Sequence, residues 1–205
     1  MPSHTDKKIK CMSCHLHCDL LAPPTIKKVK CVENQYTLWP DNNYYLRLGI
    51  QFLILNSHYN FSYTGFIFVD FSCHNIRYFT NNQWLQNLSK SGLKLILVTD
   101  KVMEPLAFYW KAKSHLISTV ITSNDDYAKI DKIINYCFTG HHDRRASNTK
   151  FNDLEIAVLD LMLAEKNIKE MSETLQINEK RIYYAKGILQ KKMGGRGKLN
   201  TVISS

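Results

Sequence analysis

Several things are missing from this chain, and each absence narrows what it can be. No stretch approaches the roughly 20 consecutive apolar residues that a membrane-crossing helix needs, so a bilayer span is not expected. The first residues carry Lys7, Lys8, Lys10 and Asp19 where a secretory signal would hold an unbroken apolar core, so the expected location is the cytoplasm. There is no glycine-rich phosphate-cradling loop, no helix with paired histidines around a glutamate and no nucleophile elbow, so an enzyme is the class least expected. Acidic residues are absent altogether from Lys180 to Lys198.

What is present is basic. The 205 residues carry a formal net charge of +9, a pI near 9.2 and 44% hydrophobic residues, enough for two small globular units. The cationic residues concentrate on one C-terminal segment rather than beside an apolar span. That favours nucleic acid over membrane as the acidic partner.

From Phe151 to Val202 the pattern predicts four short helices. Asn152 is placed to cap the first, with Asp153 and Glu155 in its opening turn and Ile156, Val158, Leu159 and Met162 returning at helical spacing. Ile168, Met171 and Leu175 mark a second helix, and Gln176, Ile177 and Asn178 form a tight connection in which Asn178 caps the third. That third helix, starting at Glu179, has an apolar face of Ile182, Ala185, Leu189 and Met193. The rest of it is cationic and aromatic: Lys180, Arg181, Tyr183, Tyr184, Lys186, Lys191 and Lys192. A basic turn, Gly194 to Gly197, leads to a last short helix around Leu199 to Val202. A charge run on its own is usually just a solvated face. Here the run follows a shorter helix through a three-residue turn, the arrangement of groove-reading motifs. Cations beside phosphates release counterions, and tyrosines on the same face reach base edges.

From Gln35 to Gly140 the pattern alternates. Strands are predicted at Tyr36 to Trp39, Asn60 to Tyr63, Phe66 to Phe71, Leu93 to Thr99 and Ile117 to Thr122. Helices are predicted at Tyr44 to Leu55, Gln83 to Lys90, Pro105 to Lys113 and Tyr127 to Cys137. Nearly continuous apolar strands separated by helices mean a parallel sheet covered on both faces, a doubly wound domain with its site at the strand C-terminal ends. Those ends carry Asp41, Asp70 and Thr99, although polar residues commonly follow buried strands wherever the chain returns to water. Phe108, Tyr109 and Trp110 are candidates for a partner surface, with ordinary helix packing as the competing reading.

Residues 1–34 read as a basic, cysteine-rich extension in which Pro23 and Pro24 end any local order. Cys11, Cys14 and Cys18, with Cys31 further on and His15 and His17 between, offer thiolates and imidazoles for zinc. Against zinc, three cysteines crowd into eight positions where a structural site normally shows two separated pairs; a reduced tail is the competing reading. Residues 141–150, from His141 to Lys150, form a polar linker.

The C-terminal segment resembles the LuxR/FixJ-type DNA-binding domain. The resemblance rests on Phe151, Asn152 and Glu155, on Val158 and Leu159, and on Lys169, Glu170 and Met171. It continues through Leu175, Ile177, Glu179, Lys180 and Ile182 to Lys192, Met193 and Gly194. It implies an all-α, four-helix LuxR-type helix-turn-helix domain over residues 151–205, with Tyr183, Tyr184 and Gly187 at the groove floor. Departures from the pattern are Arg181 for threonine, Ala185 for histidine, Glu165 for a helix-ending glycine and Ser172 for a buried alanine.

The α/β half, residues 35–140, resembles the receiver domain of two-component response regulators: Asp70 takes the phosphoryl-accepting place, Asp41 an acidic one and Thr99 the hydroxyl. Asn42 replaces the second acid and Thr122 or Ser123 stands where a lysine belongs, so a degenerate receiver that works without conventional phosphorylation is expected. Trp39, Pro40, Tyr45, Phe66 to Ser72, Trp84, Tyr109 and Trp110 together resemble the enterobacterial LuxR-type regulators of fimbrial operons. That resemblance implies control of surface-adhesion genes by a homodimer bound to double-stranded DNA. Two alternatives stay open: an adaptor that pairs with another transcription regulator, and a metal- or redox-responsive regulator that senses through Cys11, Cys14, Cys18 and Cys31.

Overall fold

The computed structural model describes residues 9–14, 16–22, 35–57, 65–141, 145, 150–195, 197 and 199. Four strands, β1 (Tyr36–Trp39), β2 (Phe66–Phe71), β3 (Lys94–Thr99) and β4 (Ile117–Thr122), form one parallel sheet in the order β1-β2-β3-β4. Their register is continuous from Tyr36 opposite Phe66 to Thr99 opposite Thr122, with one irregularity between Leu95 and Ile96. The expected strand at Asn60 to Tyr63 lies outside the described residues.

All six side chains of β2 are buried because helices cover both faces of the sheet. Helices α1 (Tyr44–Ser57) and α4 (Tyr127–Phe138) share one apolar cluster, in which Ile50, Leu53, Ile54, Ile134 and Phe138 meet Phe66, Phe68, Ile96 and Ile121. Helices α2 (Gln83–Ser89) and α3 (Glu104–Lys113) cover the other face, where Trp84, Leu88, Leu106 and Trp110 meet Ile67, Val69, Phe71, Leu95 and Val120. This is the doubly wound arrangement of a receiver-like fold. A 3-10 helix at Cys73–Tyr78, which the sequence reading lacks, follows β2 directly.

The N-terminal extension departs from expectation. Ile9, Cys11 and Leu20 are buried in the core, and Lys10 and Asp19 form an antiparallel bridge. The Met12 N–H donates to the Tyr36 carbonyl at 2.8 Å, and the Tyr36 N–H donates to Ser13 Oγ at 3.0 Å. Apolar residues at positions 9, 11 and 20 of a short hairpin are enough to dock it beside β1. Its charge density concealed them.

Three further helices, α5 (Asp153–Leu163), α6 (Ile168–Leu175) and α7 (Glu179–Lys192), pack on one another, and α5 lies against α2 and α3 within the same apolar cluster. Phe108, Tyr109 and Trp110 are therefore buried rather than presented to a partner. The Trp110 Nε1–H donates to the Phe79 carbonyl at 2.7 Å, and the Tyr109 hydroxyl donates to Asp153 Oδ1 at 2.7 Å. Arg77 reaches the Leu163 carbonyl and Thr80 the Asp160 carboxylate, so the halves are joined by polar contacts as well. At the linker, Arg145 donates to Thr119 Oγ1 and the Val120 carbonyl.

Glu165 shows what a departure from a glycine position costs. It follows the end of α5 with φ at 58°, the left-handed region in which a Cβ crowds the following carbonyl. Glu165→Gly is expected to stabilise the chain by about 1 kcal/mol, read as a rise in the midpoint of thermal or urea unfolding.

Candidate functional site

Two groups of residues are candidates, one at the end of the sheet and one on α7. At the C-terminal ends of the strands, Asp70 is buried and its Oδ2 accepts from Asn43 Nδ2 at 3.0 Å. Asn43 also holds the start of α1, its Oδ1 accepting the Leu46 N–H at 3.0 Å. Asn75 donates to the Asp70 main-chain carbonyl at 3.1 Å. A cleft of about 380 Å³ opens here, lined by Asn42, Asn43, Tyr44, Tyr45, Asp70 and His74 among others.

Asp41 and Thr99 lie at the same end of the sheet but do not turn toward Asp70. The Asp41 carboxylate pairs with Arg47, and the Thr99 hydroxyl donates to the carbonyls of Phe71 and Asp100 at 3.2 and 3.1 Å. Thr122, one of the two residues that could stand in the expected lysine place, is held through its N–H and hydroxyl by Asp125 Oδ2. Burial raises the Asp125 pKa, but hydrogen bonds from Lys129 and Thr122 outweigh it, so this carboxyl titrates below its usual range. A divalent cation needs clustered acidic oxygens. Asp70 has amides beside it and Asp41 is spent on Arg47, so these residues do not fit magnesium.

Sequence reasoning overlooked Asp100. Its carboxylate accepts from the N–H groups of Cys73, Val102 and Met103 at 2.8, 2.9 and 2.9 Å, fixing the loop that follows β3. Acceptance of N–H groups two and three residues ahead is the signal that an aspartate just past a strand can give. Burial, followed by the Asp100 charge, pushes the Cys73 thiol up, away from reactive thiolate chemistry.

Of the N-terminal cysteines, Cys11 is buried with its thiol 3.4 Å from Ser13 Oγ, Cys14 is exposed and Cys18 is half-buried. Cys31 lies outside the described residues. Among those described, no group of three or more metal-ligating side chains gathers.

On the helical unit, local sequence explains the geometry. Asn152 and Glu155 form a reciprocal capping box on α5, and Asn167 and Glu170 form another on α6; the second was equally legible but not read. Gln176 turns left-handed at φ 53° to end α6. The Ser172 hydroxyl donates forward to the Ile177 carbonyl, across the turn, rather than back along its own helix. Asn178 then accepts the Arg181 N–H at 2.9 Å and starts α7.

Helix α7 is divided sharply. Ile182, Ala185 and Leu189 are buried, as is Met193 just beyond, while Lys180, Arg181 and Lys191 are exposed and Lys186 is half-exposed. Tyr183 and Tyr184 are 61% and 71% exposed, on the face turned away from the core. Nothing lies within 4 Å of where a Cβ at Gly187 would sit, so the surface stays open there.

Lys192 departs from its expected role as a phosphate anchor. Its Nζ lies 2.9 and 2.8 Å from the two Glu155 oxygens, donates to the Lys150 carbonyl at 3.0 Å and sits 5.8 Å from the centroid of the Phe151 ring. Glu155 is buried, so its charge draws the nearby ammonium inward and ties the end of α7 to the cap of α5. Leu199, in the last short helix expected from the sequence, is also fully buried; Val202 lies outside the described residues.

These features define a two-part protein, a receiver-like α/β domain coupled to a helical unit whose last described helix is cationic outside and apolar inside. A family model described as the EcpR N-terminal domain matches residues 10–138, and the chain belongs to that family. It is also 28% identical over 190 residues, 93% of this chain and 90% of the relative, to the "Uncharacterized protein YqeH" of Escherichia coli. Among solved structures, it is similar to the RcsB response regulator of Salmonella typhimurium, described in terms of conformational dynamism for DNA interaction. The identity there is 14% and the TM-score 0.37, over 80% of this chain and 97% of that one. Full-length FixJ of B. japonicum gives 13% identity and a TM-score of 0.28, over 82% and 94%.

Removing the cation from the Glu155 pair is expected to be costly. Lys192→Met should destabilise the chain by roughly 3 kcal/mol, because a buried carboxylate is left without its counter-ion. Lys192→Met combined with Glu155→Leu should recover much of that loss. Urea unfolding of the single and double variants checks both, and an unchanged midpoint for Lys192→Met would return that lysine to the surface.

Proposed function

We propose that this chain is a sequence-specific, DNA-binding transcriptional regulator of surface-adhesion genes, acting in the cytoplasm as a paired molecule and without conventional phosphorylation. The observation that carries this reading is the outer face of α7, where Lys180, Arg181, Lys186 and Lys191 flank Tyr183 and Tyr184 and no acidic side chain interrupts them. A cationic helix held by its apolar side at a short turn fits the major groove of duplex DNA. The four cations anchor phosphates, and the two tyrosines and Gly187 meet the groove floor. Family membership supports a regulator, and the resemblance of residues 151–205 to LuxR-type domains supports DNA as the target.

The end of the sheet supports the absence of a phosphorylation switch. Asp70 is covered by Asn43, the residues do not gather acids for magnesium, and Thr122 cannot answer a new negative charge as a lysine would. The domain would then serve to pair and orient molecules.

Two tests follow. The triple variant Lys180→Ala, Arg181→Ala, Lys186→Ala should bind every duplex more weakly and reduce the log-log salt slope by about 3, one counterion per lost phosphate contact. A fluorescence-anisotropy titration over a salt series measures it, and an unaltered slope would remove α7 from the DNA. Asp70→Asn should leave promoter control nearly unchanged in a reporter strain; a large loss, or stable labelling of the wild type by acetyl phosphate with magnesium, would restore a phosphorylation step.

A further inference from the structure

Helix α1 is apolar on two opposite sides, and only one of them faces the sheet. Ile50, Leu53 and Ile54 are buried against β1, β2 and their neighbours. Tyr44, Tyr45, Leu48, Phe52 and Leu55 are between 44% and 84% exposed. At the 100° advance per residue of an α-helix, those five fall within an arc of roughly 100° on the side opposite the buried one. From Tyr45 to Leu55 they advance by three, four and three residues, the heptad spacing of helices that pack along a seam. A helix that is hydrophobic all round is a helix covered all round.

We propose that this stripe is where two copies of the chain associate, α1 against α1 in antiparallel, two-fold symmetric contact. A second copy is the occupant the chemistry favours. The stripe carries no charge, and Arg47, the single charged residue of α1, is already paired with Asp41, so nothing on it selects an acidic or basic partner. A two-fold contact requires the surface to complement itself. Antiparallel pairing does so here: Tyr45 meets Leu55 of the second copy and Leu48 meets its Phe52, aromatic against aliphatic along the whole seam.

The area suffices. With about 150–250 Å² per aromatic side chain, the exposed parts of the stripe amount to roughly 600 Å² per copy. Two copies then remove roughly 1,200 Å² from water, above the roughly 1,000 Å² that a specific interface needs. The other aromatic face of the domain is not free for this purpose, because Tyr109 and Trp110 on α3 are buried beneath the helical unit.

This inference extends the pairing part of the functional reading, yet it fails separately, since a monomer could still place α7 on DNA. The test is sedimentation velocity of the full chain from low micromolar to several hundred micromolar, with Leu48→Asp/Leu55→Asp as the disrupting variant and Tyr127→Asp on α4 as the control. The wild type and the control should be dimers. The double variant should be monomeric, with its dissociation constant raised at least about a hundredfold by the charges placed in a dry seam, and with a cooperative unfolding transition whose midpoint, unlike that of the wild type, does not rise with protein concentration. If the double variant fails to fold, Leu55→Gln and hydrogen exchange of α1 replace it: exchange should slow as protein concentration rises. A wild type that stays monomeric throughout, as it would if another segment of the chain covered the stripe, overturns the proposal. So does a dimer that the stripe substitutions leave intact.

Discussion

The helical unit depends on one ion pair. Glu155 is both the third residue of the α5 capping box and the buried counter-ion of Lys192, so a single carboxylate satisfies the start of α5 and fixes the end of α7. A charge this well buried persists only with a close partner. The pairing therefore determines which way α7 is rotated: Ile182, Ala185 and Leu189 go inward, and Tyr183, Tyr184 and the remaining cations are left outside. The exposed face of α7 is what remains once the core and this pair have taken what they need.

The sheet end follows similar logic with a different outcome. Asp70 is buried at the end of β2 and accepts a hydrogen bond from the Asn43 amide. Asp41 turned to Arg47, and Thr99 turned to two carbonyls, stabilise the loops instead of a bound ion. These contacts hold the start of α1 and the loops around it in place. The same end of the sheet begins the exposed stripe of α1, so rigidity at the cleft serves the face that α1 presents.

Much of this was legible in the residues. Continuous apolar runs such as Phe66–Phe71 mark strands covered on both faces, and Asn152 and Asn178 mark helix starts by their side-chain oxygens; both patterns are local. The junction between the halves was not legible, because Tyr109 hydrogen-bonding to Asp153 joins residues 44 positions apart and leaves no periodicity to read. Lys192 misled for a related reason: its charge grouped it with the other cations of α7, although at 100° per residue it lies beside the buried Ala185 on the flank of the apolar face, where Glu155, 37 residues earlier, receives it. Cys11 was hidden by its charged neighbours, although Ile9, Cys11 and Leu20 are the apolar points of a docking hairpin. Charge density reports what surrounds a residue in sequence, and burial depends on what surrounds it in space.

The account places α7 in the major groove of specific DNA. The most direct measurement is genome-wide mapping, at base resolution, of the DNA that the full chain occupies in its own cell. The account predicts a limited set of sites that share one sequence, lie upstream of genes and lose occupancy when Tyr183 and Tyr184 are both replaced by alanine. No enrichment above background, or sites whose occupancy ignores those two tyrosines, would contradict it.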